Sequence, residues 1–416
     1  MNELEKINDF RKQALYYSGA GKRFKVLIET VTGCFGSCLG CAFTENERTK
    51  MTPRISADKL PLLFKRLEEL LDHNNPNSIV SSYETTVINY GGSEHFIYDN
   101  DYLGILFKET SNFFNNVTTR RNVLAFSSSG LMNADKMYTR SRDMLQHLDI
   151  DQFVVDFVID LSRFEKLKER YQKSLDFFRE NFGFVDLAIN IESFSDMRDW
   201  QAFCDFIDQN GILNVDLIYS INKNNLHRVP LEAAKIFQIY ETMVLNTKQG
   251  KSLFDLHGLL RIKNNESTNN EELNNLTLQE VCRKAAHNIL HDAIFINSDF
   301  VVYPVLFVLF ADVPLNERLD VKPIGNLFDE DFKEKFYAYE NELYNQLLRI
   351  SAKSKQCSDC NYIKECYQTG APLLNKYLNI FKGKTVTTFE DCQNPVKPFL
   401  IAKKNNYLIL KEDEIE

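Results

Sequence analysis

Three cysteines lie in one short loop near the start of the chain, at C-x3-C-x2-C spacing. Cys34, Cys38 and Cys41 follow an apolar run, Phe24–Val31, that predicts a first strand. Cysteine thiolates are the usual ligands of a cubane [4Fe–4S] cluster, so three of them can hold three irons and leave the fourth open to a small molecule. The alternatives are a zinc knuckle, which requires a fourth ligand nearby, and a structural cluster.

The composition is that of a globular protein with more than one structural unit. A chain of 416 residues exceeds what one ordinary core holds. Its net charge of −9 disfavours a phosphate-backbone partner, so we expect no nucleic acid. No apolar run approaches the ~20 residues of a membrane span, and the first residues lack the apolar segment of a signal peptide. Nine cysteines, an odd number, fit metal ligation in a reducing cytoplasm better than disulfides.

Six apolar runs alternate with helical segments over the first 250 residues. This alternation predicts an α/β fold, in which a parallel sheet is covered by helices. The predicted strands are Phe24–Thr30, Thr85–Tyr90, Asn122–Phe126, Phe153–Leu161, Val185–Ile191 and Val215–Ile221.

Glycine and polar residues follow four of these strands, where the chain turns into the next segment. Such residues can contact a ligand at the carboxyl edge of the sheet, or they can be ordinary turns and helix caps. They are Gly91, Gly92, Ser93 and Glu94 after the second strand, Ser127, Ser128 and Ser129 after the third, Asp160 at the end of the fourth, and Asn190 at the end of the fifth.

A second group of cysteines lies near the C-terminus, at C-x2-C-x5-C spacing with a distant fourth member. Four thiolates can fully ligate a second [4Fe–4S] cluster, and they can equally form a structural zinc site. The four are Cys357, Cys360, Cys366 and Cys392. Of the remaining cysteines, Cys204 has apolar neighbours and is interpreted as a small buried hydrophobic residue.

The first cysteine loop and the later glycine pair together resemble the radical S-adenosylmethionine (SAM) superfamily. The resemblance implies a partial (β/α)6 barrel in which Cys34, Cys38 and Cys41 hold a [4Fe–4S] cluster whose open iron chelates SAM. It further implies that the glycine and polar residues at the strand ends face SAM. The sequence departs from the family's usual two glycines, glutamate and proline, because Ser93 separates the glycines from Glu94 and His95 replaces the proline.

The C-terminal cysteines resemble the SPASM and twitch extensions of radical SAM enzymes. They match the outer of two cysteine sets, whereas the companion set is incomplete, because Val305 and Gly370 stand where cysteines are expected. Cys282 lies near the first member of that companion set. The resemblance therefore implies one auxiliary [4Fe–4S] cluster in a small α+β iron–sulfur domain.

The expected organisation has four parts. Residues 1–22 form an N-terminal extension, 23–250 the barrel, 251–277 an asparagine-rich linker and 278–416 the SPASM-like domain. The helix predicted over Gln279–Asp292 carries His287 and His291 one turn apart. Without a third ligand at an obvious spacing, we interpret these two histidines as a surface pair.

The resemblance implies an enzyme that cleaves SAM reductively and abstracts hydrogen from a substrate. The expected substrate is a ribosomally made precursor peptide, and the expected reductant is a flavodoxin or a ferredoxin. One alternative is a radical SAM dehydrogenase or modifier of a small molecule or carbohydrate. A second alternative is a non-enzymatic iron–sulfur or zinc scaffold or sensor. The sequence assigns no catalytic side chain.

Overall fold

Strands and helices alternate along most of the computed structural model. The strands are β1 (Arg23–Ile28), β2 (Thr85–Tyr90), β3 (Arg121–Ser128), β4 (Gln152–Ile159), β5 (Gly183–Asn190), β6 (Val215–Ile218), β7 (Phe254–Asp255), β8 (Ala293–Ile296), β9 (Val301–Pro304) and β10 (Gly325–Asn326). The helices are α1 (Glu45–Arg48), α2 (Leu60–Leu71), α3 (Asn100–Asn116), α4 (Phe164–Phe182), α5 (Trp200–Gln209), α6 (Ala233–Leu245), α7 (Leu278–Asp292), α8 (Phe332–Lys353), α9 (Lys355–Ser358) and α10 (Ile363–Gln368).

The described residues fall into ranges separated by gaps, and every structural statement below concerns these ranges. They are 23–30, 33–36, 45–49, 53–80, 83–91, 94–117, 121–133, 135–137, 139–140, 152–190, 200–212, 215–218, 233–248, 254–255, 273, 275–304, 322–353, 355–368 and 372–373. The predicted N-terminal extension, 1–22, lies outside them, as do Cys38, Cys41, Gly92, Ser93 and Cys392.

One sheet runs through the described residues, in the order β10-β9-β8-β1-β2-β3-β4-β5-β6-β7. Neighbouring strands from β1 to β7 are parallel, and β8 lies parallel to β1 on its other side. Parallel neighbours require long crossover connections, which the helices between the strands supply. The α/β class and the six predicted strands are confirmed as β1 to β6, and β7 adds a short strand inside the predicted linker.

Strand β1 illustrates why these segments pair as they do. Phe24, Val26 and Ile28 alternate with residues that are only partly buried, and each of the three is nearly inaccessible. A period of two places them on one face of the sheet, toward the covering helices. On helix α2 the matching face has six buried apolar residues at helical spacing. They are Leu60, Leu63, Phe64, Leu67, Leu70 and Leu71.

Aromatic rings fill the space between the sheet and its helices. Phe126 of β3 is fully buried, and its ring meets Phe96 and Phe182 edge-on, with centroids 5.6 and 5.2 Å away. Edge-to-face pairs of this kind add to the stabilisation that burial alone provides. The turn after β2, which contains Phe96, is therefore packed against the end of α4, which contains Phe182.

The C-terminal part of the described chain packs directly on the sheet. Strands β8 and β9 pair antiparallel, as do β9 and β10, and helix α7 packs on α8 and α10. Arg66 of α2 connects the two regions, because its Nε donates to the carbonyl of Leu327 at 2.9 Å and its guanidinium also reaches the carbonyl of Asp329 at 3.0 Å. The domain boundaries stay a prediction. Strand β8 belongs to the predicted SPASM-like domain, yet it pairs with β1 and continues the sheet of the predicted barrel.

None of the helices in the described ranges combines the length and apolarity that crossing a bilayer demands.

We expect Phe126→Ala to lower the free energy of unfolding by about 3–5 kcal/mol, because it empties a buried site among aromatic neighbours. The matched control is Leu62→Ala on the exposed side of α2, where the side chain is 59% accessible. It should change the free energy by less than about 0.5 kcal/mol. Urea denaturation followed by circular dichroism measures both, and equal losses would contradict the proposed core.

Candidate functional site

The carboxyl ends of β1 and β2 are joined by contacts between the segments that follow them. The backbone amide of Glu94 donates to the carbonyl of Gly33 at 3.0 Å. Thr30 Oγ1 and His95 Nε2 are 3.1 Å apart, and both side chains are completely buried. The first cysteine loop is thereby fixed against the turn that follows the glycine pair.

The described part of the cysteine loop is held by Arg48 of α1. The amide of Cys34 donates to the carbonyl of Arg48 at 3.0 Å, and the Arg48 guanidinium donates to the carbonyl of Gly36 at 2.6 Å. The amide of Gly36 points at Cys34 Sγ, 3.2 Å away. An amide donor aimed at a cysteine sulfur favours the thiolate, and such bonds tune the potential of a cluster bound there. The half-buried Cys34 therefore fits a cluster ligand.

Glu94 is buried at the junction of β2 and β3, where serine donors surround its carboxylate. Ser128 Oγ lies 3.0 and 2.9 Å from its two oxygens, while the amide and hydroxyl of Ser129 donate at 2.9 and 2.8 Å. Burial raises the pKa of Glu94, and the serine hydrogen bonds act in the opposite direction. The predicted ligand residues Glu94 and Ser128 thus bind each other, and Ser129, the next residue of the predicted serine run, joins them.

The turn after Ser129 depends on a glycine. Gly130 has a φ of +61°, and a Cβ placed on it would lie 2.4 Å from the ring of Phe157. Only glycine combines that backbone angle with so close an approach. The hydrogen bond from the Gly130 amide to Ser128 Oγ, 3.1 Å long, completes the link between this turn and Glu94.

Asp160 is also buried, and its own turn occupies its carboxylate. Ser162 donates to Oδ1 from its amide at 3.2 Å and from its hydroxyl at 2.7 Å, and Arg163 Nε donates to Oδ2 at 2.7 Å. Asp160 therefore caps the start of the segment that leads into α4. A contact between Asp160 and SAM stays a prediction, as does one for Asn190, the last residue of β5.

The face of the sheet opposite the helices carries an apolar layer with polar residues beyond it. Val87, Val123, Ala125 and Val154 form a small buried cluster of their own. Two residues further along, alternation places three polar residues on the same face. They are Asn89 on β2, Ser127 on β3 and Asp156 on β4.

Asn89 reaches across β3 to Asp156. Its Nδ2 lies 3.3 Å from Asp156 Oδ2. The contact passes over the small side chain of Ala125 on β3, which is the residue that pairs with Asn89. The Oδ1 of Asn89 is buried and makes no hydrogen bond to a described residue. A Cβ on Gly91 would lie 3.3 Å from that oxygen. This unsatisfied acceptor beneath the glycine turn fits a ligand that brings N–H or O–H donors, as SAM does.

Charged residues on the same face show that the sheet curls. Burial lowers the pKa of Lys25 on β1, and the carboxylates of Asp156 on β4 and Asp216 on β6 partly offset this effect. In a flat sheet, β1 and β6 would be about 24 Å apart at the usual strand spacing. The influence of Asp216 on the pKa of Lys25 therefore indicates that the sheet curves and brings β6 toward β1. Asp186, which pairs in register with Asp156, is 3% exposed and extends the acidic group on this face.

Five polar residues of this face were not predicted from the sequence: Lys25, Asn89, Asp156, Asp186 and Asp216. A signal was available, because strands buried on both faces are normally apolar throughout, and each of these residues interrupts such a run.

In the C-terminal group, Cys357, Cys360 and Cys366 lie on and between the short helices α9 and α10. Each is half-buried, and the amide of Cys360 donates to the carbonyl of Cys357 at 3.2 Å. Cys204 and Cys282 are fully buried instead, and burial raises the pKa of each thiol to about 11. The interpretation of Cys204 as a small buried hydrophobic residue is confirmed.

No family model matches the chain, and no curated protein does. Among solved structures, native anSMEcpe with bound AdoMet aligns with a TM-score of 0.50 at 11% identity, over 92% of this chain and 100% of that one. A histidine-tagged form of anSMEcpe aligns at 0.50 and 12%, over 94% and 97%. SuiB from Streptococcus suis aligns at 0.51 and 15%, over 92% and 80%. At identities this low the alignments show that the chain shares the fold of these proteins, and both anSMEcpe structures were solved with AdoMet bound.

We expect Glu94→Ala to lower the free energy of unfolding by at least about 1–3 kcal/mol, because it leaves buried serine donors without an acceptor. Glu94→Gln should cost less, since it keeps one carboxamide oxygen in place. Glu330→Ala, at an exposed position, serves as the control. Urea denaturation of the three variants gives the comparison, and a Glu94→Ala loss no larger than that of the control would refute the buried network.

Proposed function

We propose that the chain is a radical SAM enzyme. The observation that carries the proposal is the contact between the Cys34 loop and the turn after Gly91, at the carboxyl edge of a sheet with the radical SAM fold. Active sites of related barrels lie at that edge. When bound, a [4Fe–4S] cluster supplies the electron that cleaves SAM to methionine and a 5′-deoxyadenosyl radical, which abstracts hydrogen from the substrate.

The chain's own residues have distinct tasks in this proposal. Cys34, Cys38 and Cys41 hold the cluster, and the Gly36 amide donates to Cys34 Sγ. Gly91, Gly92 and Ser93 would line the place for SAM, and the Oδ1 of Asn89 would accept a hydrogen bond from it. Ser127, Asp160 and Asn190, at the ends of the next strands, complete the edge. Glu94 and Ser128 position the turn through their buried hydrogen bonds to each other.

We infer that the substrate is a peptide. The resemblance of the C-terminal cysteines to SPASM and twitch extensions supports this class, since such enzymes mostly modify peptides. Substrate would enter over the face that carries Lys25, Asp156 and Asp186, where the site is charged.

That same polar face favours a second candidate, a radical SAM enzyme acting on a small polar molecule. The buried carboxylate of Asp186 would bind hydroxyl or amino groups of such a substrate. Trials of both substrate classes with the same enzyme separate the candidates, because only the correct class yields a modified product.

The second cysteine group would hold an auxiliary [4Fe–4S] cluster through Cys357, Cys360, Cys366 and Cys392. Four thiolates leave it no open iron, so its proposed work is to accept an electron from the substrate or to stabilise the region. A flavodoxin or ferredoxin is the proposed reductant. The odd cysteine number and the cysteine motifs favour a reducing compartment such as the cytoplasm.

The proposal predicts that two cysteine substitutions have different effects. Cys38→Ala should abolish reductive SAM cleavage, whereas Cys360→Ala should retain cleavage but yield no modified substrate. Anaerobic reconstitution with iron, then SAM and dithionite, allows 5′-deoxyadenosine and iron per chain to be measured. Wild type should hold roughly eight irons, as two cubane clusters require.

Cys204→Ala is the control for the loss of a cysteine and should keep both the irons and the cleavage. Equal SAM cleavage by wild type and Cys38→Ala would refute the assignment. Iron without SAM cleavage under any reductant would favour a scaffold or sensor instead.

Gly91→Val should weaken SAM binding at least about tenfold, because its side chain would enter the space above Asn89. The fold itself should survive, since the first added carbon would lie 3.3 Å from Asn89 Oδ1 and 3.6 Å from Leu27. Gly104→Val is the control, at a position on α3 where an added Cβ meets nothing within 4 Å. Equilibrium dialysis with labelled SAM measures both variants, and unchanged binding by Gly91→Val would remove this turn from the site.

A further inference from the structure

Two neighbouring helices bring two histidines and a glutamate together far from the first cysteine group in sequence. His287 and His291 lie one turn apart near the end of α7, and Glu340 faces them from α8. Glu340 Oε2 is 3.3 Å from His287 Nδ1 and 3.3 Å from His291 Nε2. One ligand atom from each residue lies within 4.8 Å of the other two. The interpretation of His287 and His291 as a plain surface pair therefore omitted the third member.

The spacing matches that of ligands around a tetrahedral metal. Zinc binds imidazole nitrogen and carboxylate oxygen at about 2.0–2.2 Å, which places neighbouring tetrahedral ligands about 3.3–3.6 Å apart. Both nitrogen–oxygen distances at Glu340 fall at the short end of that range. Two imidazoles and one carboxylate are also a ligand set that zinc uses with a water molecule in the fourth position. His287 is 55% exposed, so the fourth position would open to solvent.

Tyr83, just before β2, supports His291 from the other side. Its hydroxyl donates to the backbone carbonyl of His291 at 2.9 Å, and the same oxygen is 3.3 Å from His291 Nδ1. Because the hydroxyl proton is used by the carbonyl, Nδ1 must carry a hydrogen and donate it to Tyr83. In a neutral imidazole this arrangement leaves a lone pair on Nε2, toward Glu340. Metal-bound histidines commonly have their second nitrogen held in this way.

A hydrogen bond between His287 Nδ1 and Glu340 Oε2, 3.3 Å apart, accounts for only part of the arrangement. His291 Nε2 is buried, and despite its proximity to Glu340 it forms no hydrogen bond to any residue in the described ranges. A neutral nitrogen and a carboxylate oxygen at 3.3 Å both present lone pairs, and a cation between them removes that repulsion.

We propose that His287, His291 and Glu340 bind one divalent transition metal, with zinc as the expected ion. Imidazole ligands select transition metals such as zinc over calcium or magnesium, which prefer oxygen ligands alone.

The site lies at the end of the sheet opposite the cysteine loop. His291 and Asp292 immediately precede β8, whose first residue, Ala293, pairs with Lys25 near the start of parallel β1. Arg23, the first residue of β1, lies 3.5 Å from Asp292. Six residues of β1 span about 20 Å, so this metal is separate from the proposed SAM site. In related barrels that end contributes mainly to stability, and a metal here would fasten α7 to α8.

Zinc binding to the anaerobically iron-reconstituted full chain tests the site. Equilibrium dialysis against buffered free zinc should give one more zinc per chain in wild type than in Glu340→Gln or His287→Asn. Zinc should raise the melting temperature of wild type and leave that of the two variants unchanged. His287 and Glu340 are both accessible, and circular dichroism would verify that the variants are folded.

Two further variants sharpen the result. Glu334→Gln, the same substitution at an exposed position of α8, should bind zinc like wild type. Tyr83→Phe keeps the ring that packs against Phe24, with centroids 5.2 Å apart, and removes only the hydroxyl. It should weaken zinc binding at least about tenfold, as the loss of such supporting groups typically does.

X-ray absorption distinguishes this site from zinc held by cysteines. The zinc that binds to wild type but not to Glu340→Gln should have nitrogen and oxygen neighbours near 2.0–2.1 Å. Ligation by cysteine would instead give sulfur neighbours near 2.3 Å. Zinc binding that survives Glu340→Gln, or that disappears only in Cys360→Ala, would overturn the proposal and leave a histidine–glutamate contact without a metal. Neither result depends on SAM cleavage, so the outcome is independent of the proposed function.

Discussion

The buried carboxylate of Glu94 holds together the parts of the chain that meet at the proposed site. It accepts hydrogen bonds from Ser128 and Ser129 at the end of β3, while the Glu94 amide donates to Gly33 in the first cysteine loop. Segments following three parallel strands are thus fixed to one another through one residue. A buried carboxylate is costly unless its hydrogen-bonding capacity is used, so these donors must stay in place once the strands pair.

The second constraint is the curvature of the sheet, which converts strand order into a site. Lys25 and Asp216 belong to strands that are distant in the order of the sheet, yet the charge of Asp216 acts on Lys25. Curling brings the polar face of β1 opposite those of β4 and β6. The proposed SAM position, at the rim, and the proposed substrate face, inside, are then adjacent because they belong to one curved surface.

Much of this arrangement was accessible from sequence, because the relevant information is local. Apolar runs predicted the six strands, and the spacing of Cys34 from the first of them predicted a loop at the carboxyl edge. Partners that are distant in sequence were not predictable in the same way. Glu94 was expected to face a ligand, but it binds serines 34 and 35 residues away. Glu340 lies 53 residues from His287, and only the packing of α7 on α8 brings them together.

The most direct test of the account is the electron paramagnetic resonance spectrum of the reduced cluster, recorded with and without SAM. The Cys360→Ala variant isolates the first cluster, because it removes a ligand of the auxiliary one. The account predicts that SAM alters the spectrum, since SAM would bind the iron that lacks a cysteine, and that Gly91→Val prevents the change. A spectrum that SAM leaves unaltered, in a variant that retains its roughly four irons, would contradict the account.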